Sequence, residues 1–196
     1  MLKVERAAVL GAGTMGAAIA AHLTNAGIPT LLLDIAPADA GDSKAERDAL
    51  VKSMFDAAKR LKPAPFMLGD NAKLIEVGNF TGDMQRLKDC DFVIEAVVER
   101  LDIKHKLFAE VEKHRKPTAV IASNTSGIPI ASIAEPFSDD FKKHFVGIHF
   151  FNPPRYMKLV EVIPTADTDG EIACSISAFL AQRLGKGVVP PKDRPN

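Results

Sequence analysis

The stretch Val9-Leu10-Gly11-Ala12-Gly13-Thr14-Met15-Gly16 decides the fold. An apolar run, Ala7 to Leu10, meets three glycines spaced G-x-G-x-x-G and passes into a helical pattern, the order that a phosphate-binding strand-turn-helix requires. In that motif Gly11 permits the tight turn, Gly13 lets backbone approach a pyrophosphate with no Cβ between, and Gly16 allows the helix to sit close on the strand. Ala12, Thr14 and Met15 complete the loop. The free N–H groups of the first helical turn and the positive end of the helix dipole then face an anion. The motif alone also describes an ordinary glycine-rich turn, so its surroundings must decide.

Those surroundings form a strand-helix-strand unit. Met15, Ala18, Ile19, His22, Leu23 and Ala26 recur at helical spacing, and Gly27 follows as a stop. Next comes Thr30-Leu31-Leu32-Leu33-Asp34, an apolar run that ends in an acid 18 residues after Gly16. An acid there accepts hydrogen bonds from adenosine ribose hydroxyls and repels a 2′-phosphate, and neither Ile35 nor Ala36 supplies a cation for one. The pattern predicts NAD rather than NADP. The other reading of Asp34 is a residue that merely opens the next turn.

Bulk properties narrow the classes. A chain of 196 residues with 46% hydrophobic and 26% charged content can bury a good core. Lys plus Arg and Asp plus Glu each total 25, which leaves no overall basic field for nucleic acid or an anionic membrane. Cys90 and Cys174 stand 84 residues apart without metal-ligand spacing, so free thiols, a reducing compartment and a cytoplasmic setting are expected, with no metal site. The first strand starts so close to Met1 that no leader segment is expected, and no apolar run reaches the roughly 20 residues of a membrane span.

Beyond Asp34 the alternation is interrupted from about residue 36 to 78. Leu50, Val51, Met54, Phe55, Ala58 and Leu61 mark one face of a long helix that Pro63 and Pro65 end. Lys59, Arg60 and Lys62 read either as a solvated helix end or as a seat for a phosphate-rich substrate tail. Strands follow at 74–77, 91–97, 119–122, 145–151 and 158–163, their continuous apolar runs suiting a sheet covered on both faces. A helix starts at Leu101, a short one lies around Ile130 to Ala134, and a last one spans about Asp169 to Leu184, with Gly185 as its stop and a tail from Lys186. The fold expected is α/β, a Rossmann-type doubly wound and mostly parallel sheet with a helical insertion after the second strand, one domain over 1–196.

Ligands of such sheets sit where loops leave the carboxyl ends of the strands. Ser123 to Gly127 is such a loop, although its Ser, Thr and Asn residues equally suit a cap for the helix at Ile130. Among five histidines, His22, His105, His114 and His144 read as structural or solvated. His149 stands near the carboxyl end of an apolar strand and is followed by a proline turn, and Glu161 occupies the next strand. A carboxylate facing His149 would hold one tautomer and stabilise the imidazolium, as a general base in alcohol oxidation requires.

The glycine loop, Ile94-Glu95-Ala96-Val97-Val98-Glu99, Ser123-Asn124-Thr125-Ser126, His149-Phe150-Phe151-Asn152-Pro153 and Lys158-Leu159-Val160-Glu161-Val162 together resemble the NAD-binding domain of L-3-hydroxyacyl-CoA dehydrogenases. The likeness covers essentially the whole chain. Asn124-Thr125-Ser126-Gly127, Asn152-Pro153-Pro154-Arg155-Tyr156 and Lys192-Asp193-Arg194-Pro195-Asn196 look more like the bacterial form fused to an enoyl-CoA hydratase than like the short mitochondrial enzyme.

The resemblance implies NAD-dependent oxidation of L-3-hydroxyacyl-CoA to 3-ketoacyl-CoA in fatty acid β-oxidation. His149 would remove the hydroxyl proton, Glu161 would orient it, and Ser126 would bond the same hydroxyl and the nicotinamide edge. Asn152 would hold the carboxamide side, and Glu99 and Lys104 match positions that touch the cofactor. The family continues into a helical domain that completes the substrate cleft and usually a dimer, and none of it lies within these 196 residues, so they are expected to bind NAD and turn over poorly. The competing readings are a dehydrogenase of small 3-hydroxy acids, which relies on an acid/base lysine on a later helix and against which the His149 and Glu161 pair speaks, and a non-catalytic dinucleotide-binding module.

Overall fold

The computed structural model describes residues 2–191 and Asp193. The first unit is β1 (Ala7–Leu10), α1 (Thr14–Asn25) and β2 (Thr30–Asp34), with the strands parallel. The insertion follows as α2 (Lys44–Arg47) and α3 (Ala49–Ala58), and then β3 (Ile75–Asn79), α4 (Phe80–Asp83), β4 (Phe92–Glu95), α5 (Leu101–His114) and β5 (Val120–Ser123). The remainder is α6 (Ile130–Ala134), α7 (Asp139–His144), β6 (Phe145–Phe150), β7 (Leu159–Pro164), α8 (Gly170–Leu184) and β8 (Gly187–Val189).

The strands form one sheet in the order β3-β2-β1-β4-β5-β6-β7-β8. It is parallel through β6, β7 runs antiparallel to β6, and β8 is parallel to β7. This is the Rossmann-type doubly wound sheet. Because successive strand residues face opposite ways, β1 sends Ala7 and Val9 into one core with Ile19, Leu23 and Phe179, and Ala8 and Leu10 into the other with Phe108, Phe141 and Phe145. Two covered faces explain the unbroken apolar runs.

Two glycines behave as the motif demands. Gly11 has φ +104°, and a Cβ on it would stand 2.6 Å from the Ala96 carbonyl oxygen. At Gly16 a Cβ would stand 1.8 Å from the Gly11 carbonyl oxygen, so α1 can lie on β1 only without a side chain there. The chain also turns out of α1 at Gly27, where φ is +76°.

The insertion departs from the expected single long helix. Asp48 separates α2 from α3, buried and accepting from Asn79 Nδ2 at 2.6 Å. The helix stops at Ala58, before the prolines, and Leu61 is exposed. Only Val51 and Ala58 of α3 are fully buried, whereas Leu50 and Met54 face a cavity beside the glycine loop. The apolar stripe is thus divided between core and open space. Val188 and Val189, read as tail, lie in β8 and extend the sheet beyond β7.

Candidate active site

The carboxyl ends of β1, β2, β4, β5 and β6 lie along one edge, and the loops leaving them build two adjoining spaces. The first, of about 520 Å³, is lined by Gly11, Gly13, Asp34, Ile35, Leu50 and Val97 among others. Asp34 ends β2 beside the glycine loop, its carboxylate accepting from Ala12 N at 2.5 Å and from its own neighbour Ile35 N at 2.7 Å. Nothing stands within 4 Å of a Cβ built on Gly13, the residue that precedes α1. The first turn of α1 holds no acidic side chain, and no side chain caps it. An anion can therefore reach its N–H groups unopposed.

The second space, of about 350 Å³, brings together Met15, Glu99, Asn124, Ser126, His149 and Asn152. His149 and Glu161 are register partners across β6 and β7, and His149 Nδ1 lies 2.9 Å from Glu161 Oε2. Phe151 packs on the imidazole with ring centroids 4.6 Å apart. Glu99 reaches the β5 exit loop, where its Oε1 accepts from Thr125 Oγ1, from Ser126 N at 3.1 Å and from Gly127 N at 2.9 Å. Burial alone would raise its carboxyl pKa, but the bonds from Thr125 and Gly127 and the Lys104 ammonium outweigh that and hold it below the usual range.

The Ser123 to Gly127 loop shows features of both readings. Thr125 Oγ1 accepts from Ile128 N at 3.2 Å just ahead of α6, while the first amides of α6 donate to the Asp193 carboxylate, Ile130 N at 2.8 Å and Ala131 N at 3.0 Å. The loop also wraps Glu99 and borders the His149 cleft.

Lys104 lies beneath the cleft rather than in it. Its side chain is 0% exposed, with Nζ 2.7 and 2.8 Å from the two Glu95 carboxylate oxygens and 3.3 Å from Glu99. Sequence reasoning assigned no role to Glu95 or to Asn124, which accepts from Phe150 N at 2.9 Å and ties the β5 loop to the strand carrying His149. An acid closing an otherwise apolar strand was the available signal for Glu95.

The basic cluster divides. Lys59 pairs with Asp56 at 2.6 Å and covers the Phe55 ring, a solvated helix end, while Lys62 borders a pocket of about 210 Å³ with Thr14, Asn152 and Arg155. Among the other histidines, His105 meets the Ser132 carbonyl oxygen at 3.0 Å and His144 that of Asp140 at 2.8 Å. His22 is buried, and desolvation followed by the nearby Lys186 charge lowers its pKa to about 4. Among the described residues no group of three or more His, Cys, Asp or Glu is placed to hold a metal ion, and no helix is long and apolar enough to cross a membrane.

Residues 6–194 match the model of the 3-hydroxyacyl-CoA dehydrogenase NAD-binding domain. A probable 3-hydroxyacyl-CoA dehydrogenase of Deinococcus radiodurans is 53% identical over 99% of this chain and 55% of its own length. One of Bacillus subtilis is 48% identical over 98% of this chain and 26% of its own. Among solved structures, 3-hydroxybutyryl-CoA dehydrogenase from Escherichia coli aligns with a TM-score of 0.78 at 31% identity, covering 99% of this chain and 39% of that one. FadB2 of Mycobacterium tuberculosis aligns at 0.76 and 34%, covering 98% and 65%. The chain thus spans about half or less of the length of these curated relatives. The glycine loop, the acid ending β2 and the match over residues 6–194 agree on NAD as the cofactor, and the chain belongs to the 3-hydroxyacyl-CoA dehydrogenase NAD-binding domain family.

Proposed function

We propose that this chain is the dinucleotide-binding domain of an NAD-dependent L-3-hydroxyacyl-CoA dehydrogenase of fatty acid β-oxidation, with acyl-CoA substrates and, at the full length of its relatives, a homo-oligomer. The observation that carries this reading is the His149 to Glu161 contact of 2.9 Å at the wall of a cleft that also holds Ser126 and Asn152. The curated relatives' names support the same reaction.

The residues present fit the cofactor. The unobstructed space over Gly13 admits a pyrophosphate, Asp34 is placed for the adenosine ribose, and the apolar space beside Ile35 and Leu50 suits an adenine. Asn152 and Ser126 serve the nicotinamide end, and Glu99 borders it. When bound, NAD supplies the hydride acceptor.

In the acid-base part, the Glu161 carboxylate accepts a hydrogen bond from Nδ1–H and fixes the tautomer that leaves the Nε2 lone pair free. Nε2 removes the proton of the 3-hydroxyl, and the imidazolium so formed lies against the Glu161 carboxylate. Ser126 bonds the hydroxyl and holds it at the base. With a protein carrying this chain at the full length of its relatives, NADH-dependent reduction of acetoacetyl-CoA tests the reading. Turnover that collapses on His149→Gln supports it, and absence of turnover in the unmodified protein overturns it.

A further inference from the structure

Glu95 closes β4 with its side chain 0% exposed and both carboxylate oxygens occupied. Oε1 accepts from Val97 N at 2.6 Å and from Lys104 Nζ at 2.7 Å, and Oε2 accepts from Ser123 Oγ at 2.5 Å and from Lys104 Nζ at 2.8 Å. Three segments meet at this one group: the exit loop of β4, the first turn of α5 and the last residue of β5. Removing Lys104 from beside this buried group would leave both carboxylate oxygens short of a donor. Lys104 then extends the chain of contacts outward to Glu99, and Glu99 holds Thr125, Ser126 and Gly127.

The β4 exit loop also presses on the glycine loop, since the Ala96 carbonyl oxygen occupies the space a Cβ on Gly11 would need. Val97, whose amide Glu95 holds, lines the larger cavity, and Ser126 lines the smaller. One buried group therefore has a bond path to a wall of each. We infer that Glu95, with Lys104 as its buried counter-ion, is the positioning residue that sets the β5 exit loop, and with it Ser126, at working height opposite His149.

The inference rests on the function proposed above only in what the loop is positioned for. Loss of a buried charge partner tends to unfold a protein, whereas replacement of a whole buried pair by apolar residues is often neutral to stability. The decisive variant is therefore Glu95→Met combined with Lys104→Met, compared with Glu95→Gln alone. Two quantities are read: amide hydrogen exchange along residues 120–127, and kcat against KM for NADH in the full-length protein with acetoacetyl-CoA.

In the double variant the Ser126 and Gly127 amides are expected to exchange about tenfold faster or more, while Val120 to Ala122 in β5 keep their protection. Turnover should fall by about 10- to 100-fold, because a displacement near 1 Å costs on the order of 10²-fold. A stable double variant whose loop amides exchange as in the unmodified protein overturns the inference, as does one with unchanged kcat. A double variant that does not fold overturns it too, since the pair would then be a requirement of the fold. If the unmodified protein shows no turnover, the proposed function fails, and the exchange readout still decides whether Glu95 holds the loop.

Discussion

Glu161 faces His149 directly across the antiparallel pair β6 and β7, with 2.9 Å between Oε2 and Nδ1. Register makes this contact depend on two backbones already locked by the sheet, so neither side chain has to be ordered by substrate. His149→Gln is expected to lower turnover by roughly 10²- to 10⁴-fold in the full-length protein, the usual worth of a positioned general base. NADH binding should persist. Glu161→Gln should act in the same direction but less strongly. Steady-state kinetics beside calorimetric titration check both, and near-normal turnover in the two variants would refute the acid-base assignment.

The role proposed for Asp34 is the choice of dinucleotide. Its carboxylate is held on the glycine loop through Ala12 N at 2.5 Å, and a carboxylate at the end of the second strand disfavours a 2′-phosphate. Replacement by Ala or Gly should narrow the preference for NAD over NADP. Titration of the unmodified chain with NADH and NADPH gives the reference, and equal affinities would count against the role given to Asp34.

Gly13 and Gly16 make opposite predictions under the same substitution. Gly13→Ala places its Cβ in open space and needs no unusual φ, so stability should change by no more than about 0.5 kcal/mol while NADH affinity falls. Gly16→Ala drives its Cβ into the Gly11 carbonyl oxygen, 1.8 Å away, and should destabilise by about 1–3 kcal/mol or more. Thermal melts with and without NADH separate the two. A Gly13→Ala protein that binds NADH normally would show that the ligand does not approach there.

His22 predicts an acid limb in stability. It is buried between elements that bring Lys186 and Arg155 toward it, and its pKa falls from 6.5 to about 4, chiefly by desolvation, with a backbone contact at Leu184 opposing the fall. The unfolded chain takes up this proton near pH 6.5 and the folded one only near pH 4. The stability is therefore complete above pH 6.5 and is lost as pH falls toward 4, by an amount on the order of 3 kcal/mol. Carboxylates such as Asp83, whose pKa lies below its ordinary 3.8, contribute their loss at lower pH. Urea denaturation between pH 7 and about 4.5 should show the slope, and His22→Leu should flatten it. An unchanged slope in that variant would assign the limb elsewhere.

How much of this was legible beforehand follows from the range of the interactions. The first strand-helix-strand unit is written locally, because three glycines and two apolar runs determine it within residues 7–34. The insertion differs from the single helix its periodicity predicts because periodicity shows that Leu50 and Met54 share a face without showing whether that face meets core or an open cavity. Ser123 to Gly127 is ambiguous in sequence because capping residues suit both readings, and Asp193, which accepts from the first amides of α6, is 63 residues from Ile130. Glu95 and Lys104 escaped notice as a pair because one ends a strand and the other begins a helix, and their contact exists only once α5 turns back over the sheet.

The 196 residues taken by themselves should bind NADH and reduce acetoacetyl-CoA poorly. Gly11, Gly13 and Asp34, proposed for the adenosine half, line one preformed cavity of about 520 Å³. The His149 cleft, of about 350 Å³, is more open than the first cavity, and the Deinococcus relative is matched over 55% of its own length. Proton removal at His149 depends on excluding water and holding the hydroxyl within reach, and a displacement near 1 Å costs on the order of 10²-fold. Calorimetric titration with NADH and a spectrophotometric assay on the same sample test the two halves together. Turnover equal to that of a protein at the full length of its relatives would mean that these loops already enclose the reacting hydroxyl. Absence of NADH binding would mean that the cavity beside Asp34 is not preformed.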